Sequence, residues 1–261
     1  MLITLASASG SPGVSTTALG LALTWNRDVI LIEADPIGAS PTLSGFFSGQ
    51  IAPQKTILDL TAGEDLEEQL FRDSIPLTDE QEPMKRVVPA VANPLHGRVL
   101  ARRWPELAPA FADLERAGID VIADLGRTGT EHFAKPLHAA ADVSALVIAP
   151  TIGATLAARS ALAYTNLIEE NPLEAPAFHL ITIETPHGYS AAEVSRALGH
   201  PSLGTLPDRP KHAASLAHGA PRPRGYDNSS YVRSLRSLGN AISNAAQARR
   251  TALKKLRGET P

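Results

Sequence analysis

Short apolar runs alternate with longer amphipathic stretches along most of the chain. Such alternation is typical of βα units around a parallel sheet. It predicts strands at Leu2–Ala8, Asp28–Glu33, Arg86–Val91, Ile119–Asp124, Val143–Ala149, Phe178–Ile183 and Leu203–Leu206. The intervening stretches predict helices at Ser15–Trp25, Trp104–Ala117, Glu131–Ala140, Ala154–Glu170, Ser190–Leu198 and Pro210–Ala217, and a long last helix from about Ser230 to Leu256. The expected fold is α/β, a doubly wound, mostly parallel sheet with helices on both faces.

Two stretches are less regular. Residues 40–82 are rich in Gly and Pro and predict loops around a short helix near Leu66–Phe71, and residues 218–228 predict an exposed connector. We therefore expect one domain at residues 1–225, with residues 226–261 forming a basic helical tail that packs on it.

Composition narrows the chemistry. The 261 residues include no cysteine, which excludes disulfides, thiolate metal sites and a cysteine nucleophile. The first apolar stretch has no basic start and is broken at Ser9–Gly13, so a secretion signal is not expected and the chain should be cytoplasmic. The net charge is −3, yet residues 230–261 carry seven basic residues and one acidic residue. The tail is thus a basic appendage on an acidic body.

The first predicted strand runs through a Gly-rich turn into an apolar helix. The turn reads Ser9-Gly10-Ser11-Pro12-Gly13-Val14-Ser15-Thr16-Thr17. Backbone N–H groups of such a turn point at an anion, and the helix dipole adds roughly half a positive charge there. This position therefore predicts a phosphate site.

Three segments in order give the chain its resemblance to the ParA/MinD family of P-loop ATPases, the deviant Walker A group. They are this turn, the strand ending Glu33-Ala34-Asp35-Pro36, and the strand Ile119–Gly126, which is similar to the family's Walker B strand. Leu203–Pro207 resembles a late strand that flanks the base pocket, which makes Pro207 a candidate nucleotide-binding residue. The resemblance implies ATP and Mg²⁺ as cofactors and a homodimer as the working state.

The turn departs from the family pattern. The family's lysine, two glycines, variable residue, glycine, lysine and two threonines align with Gly10, Ser11, Pro12, Gly13, Val14, Ser15, Thr16 and Thr17. Ser15 replaces the lysine that neutralises the phosphates, and Gly10 replaces the signature lysine that reaches the partner's nucleotide. Pro12 has no N–H to donate, and Val14 puts a branched side chain where backbone approaches closely.

Each lost charge-assisted hydrogen bond should cost about 1.5–3 kcal/mol, or roughly ten- to a hundredfold in affinity. Catalysis should suffer more, because a transition-state cation can be worth ~10³–10⁵ in phosphoryl-transfer rate. We expect ATP binding that is weak or lost, with slow or absent hydrolysis.

Other features of the site are kept. The resemblance assigns Mg²⁺ ligation to Thr16 and Asp124, a water-mediated Mg²⁺ contact to Glu33, and positioning of the attacking water to Asp35. Carboxylates without lysines would repel a triphosphate, so any binding should depend strongly on the metal. The family's adenine-reading asparagine has no equivalent in Ile183–Pro186.

Four basic residues are candidate substitutes for the lost lysines: Lys55, Arg127, Lys135 and Arg159. Arg127 follows the Walker B-like strand and should lie at the carboxyl edge of the sheet beside the phosphates. The alternative for Arg127 is an ion pair with a nearby carboxylate such as Glu131.

The tail predicts a partner surface. Val232, Leu235, Leu238, Ile242 and Ala245 form an apolar stripe that should pack on the domain. Beyond it lie the basic residues Arg249, Arg250, Lys254, Lys255 and Arg257. They indicate contact with an anionic membrane, with DNA or with protein, or else a solvated helix end, and membrane or nucleoid contact would make the protein peripheral there.

The leading hypothesis is a degenerate ParA/MinD-like positioning or assembly factor with little or no ATP turnover. Its expected partner belongs to a partitioning, cell-division or Tad-type pilus or secretion apparatus, and the altered loop resembles the TadZ/CpaE branch. One alternative is an active ATP-dependent switch with a substitute cation. The other is a small-molecule binder that uses the vacated pocket.

Overall fold

A computed structural model describes residues 1–10, 12–63, 65–79, 82–164 and 175–256. Strands lie at β1 (Leu2–Ser7), β2 (Val29–Glu33), β3 (Ile75–Pro76), β4 (Lys85–Val88), β5 (Asp120–Arg127), β6 (Val143–Ile148), β7 (Ala177–Ile183) and β8 (Ser202–Leu206). They form one sheet in the order β3-β4-β2-β5-β1-β6-β7-β8. Every pair is parallel except β3 with β4. The doubly wound α/β prediction is confirmed.

The helices lie at α1 (Val14–Thr24), α2 (Leu66–Asp73), α3 (Gly97–Ala101), α4 (Trp104–Asp113), α5 (Lys135–Ala139), α6 (Ile152–Tyr164), α7 (Ala191–Leu198), α8 (Pro210–Ala217) and α9 (Ser230–Leu256). Helices α1, α8 and α9 bury their apolar faces on one side of the sheet, and α2 to α7 on the other. The strands contribute side chains to both core layers, because successive side chains point to opposite faces of the sheet, as Leu2 and Ile3 do in β1.

The long last helix is confirmed, and its predicted apolar stripe is buried. Val232, Leu235, Leu238 and Ile242 are each at most 3% exposed, and the last three lie in one core layer with α1 and β8. Ala245 is half-buried, and Ala246 completes the stripe. The helix therefore belongs to the hydrophobic core over most of its length.

Some predicted boundaries were wrong. The helix expected at Glu131–Ala140 begins only at Lys135. His132 has a positive φ of 70°, which a residue within a right-handed helix does not adopt. The strand expected to end at Asp124 continues to Arg127, because Ser7 of β1 pairs with Arg127. The π-helical turn Thr42–Phe46 and helix α3 were not predicted. The end of the helix expected to reach Glu170 lies outside the described residues.

Candidate functional site

The turn between β1 and α1 forms an open cradle. Gly10 and Gly13 have φ of 65° and 96°, and a Cβ built on either would meet no atom within 4 Å. Gly13 caps α1 without any side-chain hydrogen bond, while the Thr17 amide donates to its carbonyl at 2.8 Å. The first-turn amides of α1 thus have no side-chain cap, which leaves them able to bind an anion. Ser11 lies outside the described residues.

The two unusual residues of the turn do not close it. Val14 is 6% exposed and packs with the core layer of α1 and α9, so its side chain lies beneath the turn. Pro12 is half-buried and lines the cavities on both sides of the turn. Both residues line a cavity that remains open over the turn.

A cavity of about 500 Å³ lies over the turn. It is lined by Ser7, Gly10, Pro12, Gly13, Val14, Ser15, Thr16, Asp35, Ile37, Gly126, Arg127 and His218. Ser7, Ile37 and His218 were not predicted as site residues, and Gly126 was predicted only as the end of the Walker B-like strand. Its place two residues after the Walker B-like aspartate, Asp124, is the sequence signal that could have identified Gly126 as a site residue.

Asp124 lies beneath this cavity at the end of the apolar part of β5. Its side chain is buried, and burial together with the nearby Glu33 and Asp35 raises its pKa to about 6. Two hydrogen bonds act against that rise, one from the Ser15 hydroxyl and one from the Gly126 amide at 2.9 Å. A neutral hydroxyl thus contacts this carboxylate, at the position that the sequence resemblance aligns with a lysine.

Glu33 is 2% exposed, and its carboxylate is held by neighbouring loops. It accepts hydrogen bonds from the Thr42 amide at 2.9 Å and the Ala90 amide at 3.2 Å, and a further one from Ser40. Burial nevertheless raises its pKa. Glu33 therefore fixes the loops after β2 and β4, and its water-mediated contact with Mg²⁺ stays a prediction.

Asp35 follows β2 and lies at the cavity wall. Its Oδ1 accepts a hydrogen bond from the Ile37 amide at 2.9 Å. Burial raises the pKa of Asp35, while this bond and the charge of Arg127 lower it. The carboxylate packs directly on Gly126, where φ is 67° and any Cβ would overlap the carboxylate.

Of the four candidate cations, Arg127 lines the cavity. Its Nη2 donates to the Gly10 carbonyl at 2.8 Å, and the carboxylate of Glu131 instead lies 3.5 Å from the His132 ring. The other three lie elsewhere: Lys55 pairs with Asp59 at 3.5 Å, Arg159 donates to Ala197 at 3.1 Å, and Lys135 is exposed at the start of α5.

A second cavity of about 100 Å³ lies on the opposite side of the turn. It is lined by Pro207 together with Ile183, Leu206, Tyr231 and the charged residues Asp208 and Arg209, and it shares Pro12, Gly13 and Thr16 with the first cavity. Pro207 and Asp35 therefore lie on opposite sides of the turn. Glu184 lies in the segment Ile183–Pro186, which lacks the asparagine of the family pattern, and it accepts a hydrogen bond from the Asp208 amide at 3.3 Å.

The basic residues of the tail fall into two groups. Arg250 pairs with Glu115 at 2.6 Å and Asp142 at 3.2 Å, and Arg249 donates to the Ala175 carbonyl at 2.9 Å. These two arginines tie α9 to the domain instead of extending into solvent. Lys254 and Lys255 are exposed on its last turn, and Arg257 lies outside the described residues.

The described residues also bear on binding of a metal or a membrane. They hold no group of three or more His, Asp or Glu side chains placed to bind a metal. Within the same residues, no helix combines the length and apolar character that a membrane span requires.

Solved structures share this architecture. A ParA family ATPase from Chlorobium tepidum is 12% identical, with a TM-score of 0.69 over 92% of this chain and 97% of that one. MinD from Pyrococcus horikoshii, complexed with Mg-ADP, is 17% identical with a TM-score of 0.68 over 95% and 98%. MinD in the MinC:MinD cell-division complex of Aquifex aeolicus is 16% identical with a TM-score of 0.67 over 93% and 95%.

No protein-family model matches the sequence, and no curated protein matches it. At these low identities the structural likeness establishes the fold alone. The chain has the fold of MinD and ParA ATPases over nearly its whole described length.

Proposed function

We propose that this chain is a degenerate member of the ParA/MinD family and acts as a positioning or assembly factor with weak or no ATP hydrolysis. One observation carries the proposal: the hydroxyl of Ser15, at the position of the phosphate-binding lysine, is hydrogen-bonded to the buried Asp124 carboxylate. The cradle keeps its shape and its acids while this ammonium is missing.

The electrostatics of the site favour binding over cleavage. Thr16 and Asp124 would hold Mg²⁺, and the open cradle has room for phosphates. Mg²⁺ would screen phosphate charge from the carboxylates. The lysine's stabilisation of charge on the transferred phosphoryl group is lost, at ~10³–10⁵ in rate. Weak, metal-dependent nucleotide binding with little turnover follows.

The positioning role is supported by the fold and by the descriptions of solved structures that share it. The A. aeolicus MinD is complexed with MinC, and other solved structures of this fold are plasmid partition proteins. We expect a homodimer that binds a protein of a partitioning, division or Tad-type pilus or secretion apparatus, as in the TadZ/CpaE branch. This assignment makes partner contact, rather than ATP turnover, the output of the protein.

Contact with a membrane or DNA through the tail would rest on Lys254, Lys255 and Arg257, since Arg249 and Arg250 already bind groups of the domain. Sedimentation with phosphatidylglycerol vesicles, or gel shift with duplex DNA, would test it. The double variant Lys254→Gln, Lys255→Gln should then lose binding to vesicles or DNA. Unchanged binding of this variant would show that the tail does not make the contact.

The rival function is an active ATP-dependent switch, favoured by the position of Arg127 in the cavity. Titration calorimetry with Mg-ATP, combined with sedimentation velocity, separates the two. The platform predicts weak nucleotide binding and a dimer fraction that nucleotide does not change. Tight binding, a dimer formed only with ATP, and phosphate release stimulated by DNA or vesicles would favour the switch and contradict the proposal.

A further inference from the structure

Arg127 is fixed beside the cradle by the backbone of the sheet. Ser7, the last residue of β1, pairs with Arg127, and the Thr128 amide donates to the Ser7 carbonyl at 2.8 Å. The positive φ of Gly126 turns the chain just before Arg127, and the side chain then reaches Gly10 across the mouth of the cavity. The position is therefore set by strand pairing and does not depend on a mobile loop.

The guanidinium has capacity left for an anion. It carries five N–H donors, and among the described residues one of them is used, on the Gly10 carbonyl. That carbonyl is neutral, so a phosphate oxygen would be a stronger acceptor for the same donor. Arg127 also acts electrostatically on Asp35, which places its charge on the Asp35 side of the cavity.

The two cavities give the site a direction. Pro207, with both apolar neighbours and the charged Asp208 and Arg209, lies on one side of the turn, while Asp35 and Arg127 lie on the other. A nucleotide with its base on the Pro207 side would run its phosphate chain over the turn, past Thr16, toward Arg127. The far end of that chain is the only part that differs between a triphosphate and a diphosphate.

From this geometry we infer that Arg127 binds the terminal phosphate of a nucleoside triphosphate and so makes the site prefer triphosphate to diphosphate. The inference rests on the proposed nucleotide-binding role of the cradle. It assigns to a residue of the same chain the positive charge that Ser15 and Gly10 cannot supply. Because Arg127 is exposed and water screens its charge, the expected contribution is about tenfold in affinity.

The test is titration calorimetry with Mg²⁺ and either the non-hydrolysable analogue AMPPNP or ADP. Arg127→Gln should weaken AMPPNP binding about tenfold and change ADP binding less than threefold, while Arg127→Lys should keep part of the AMPPNP affinity. Arg116→Gln is the matched control, because Arg116 is 84% exposed and pairs only locally with Asp113 at 3.3 Å. It should bind both nucleotides as the unmodified protein does.

Equal weakening of AMPPNP and ADP by Arg127→Gln, or no weakening of either, would overturn the inference. So would the absence of binding to the folded, unmodified protein, with circular dichroism used to verify folding. These outcomes concern binding alone. The proposed function fails separately, if the unmodified protein releases phosphate at rates ordinary for ATPases of this fold.

Discussion

The contact between Gly126 and Asp35 gives a sharp prediction for the architecture of the site. Replacing Gly126 with alanine places a Cβ in the left-handed region at φ 67°, which costs roughly 1–2 kcal/mol. The Cβ would also lie 2.9 Å from Asp35 Oδ1 and closer still to Cγ and Oδ2, so the carboxylate must move. Moving it breaks the hydrogen bond from Ile37, for about 1 kcal/mol more. We expect a total loss of about 2–3 kcal/mol in unfolding free energy.

The chain offers a matched control at Gly118, just before β5. Its φ is 83°, and a Cβ there would meet no atom within 4 Å. Gly118→Ala therefore carries the backbone cost without the collision and should lose only about 1–2 kcal/mol. The excess at Gly126 should disappear when Asp35 is also replaced by alanine, because the colliding carboxylate is then absent.

Urea unfolding followed by circular dichroism measures these differences directly, as a double-mutant cycle between Gly126→Ala and Asp35→Ala. The expected coupling is about 1 kcal/mol. If Gly126→Ala costs no more than Gly118→Ala, or if the two changes at the site are additive, Asp35 does not pack against Gly126 as described.

Three further predictions concern the same elements. Because the raised pKa of Asp124 means that the unfolded chain ionises first, stability in metal-free buffer should fall, by on the order of 3 kcal/mol, as pH rises from about 4 through about 6. Asp124→Asn should flatten that dependence, and an unchanged urea-denaturation profile would argue against the burial of the charge. Arg250→Met should lower the unfolding free energy by about 1 kcal/mol, because the ion pairs with Glu115 and Asp142 are lost. An unchanged unfolding free energy in urea titration would contradict this prediction. Ser15→Lys should strengthen Mg-ATP binding roughly ten- to a hundredfold by calorimetry, and equal affinity would refute the role given to the missing ammonium.

The sheet and most helices followed from the sequence because alternating apolar runs leave few other architectures. The segments that were missed carry weak local signals. Strand β3 has two residues and exists through its pairing with β4, and the π-helical turn at Thr42–Phe46 is anchored by the Thr42 amide on Glu33. Such elements depend on contacts distant in sequence, which periodicity does not encode.

The sequence predicted which residues lie near the turn better than it predicted their geometry. Motif order placed Asp35 beside the turn, and both line one cavity, but the direction in which Val14 points depends on packing against α9. The contact from Arg127 to Gly10 depends on the β1–β5 register. The ion pairs of Arg250 join residues more than a hundred positions apart, so a basic run in the sequence could not show that part of it is already paired.

The most direct test of the central claim is steady-state phosphate release from Mg-ATP by the purified protein, compared with its Asp35→Ala variant prepared in parallel. The variant removes the carboxylate assigned to the attacking water, so its rate reports contaminating activity alone. The account predicts that the two rates are equal within error. A wild-type rate a hundredfold or more above that of the variant would show that the cradle cleaves ATP without its lysines, and would contradict the account.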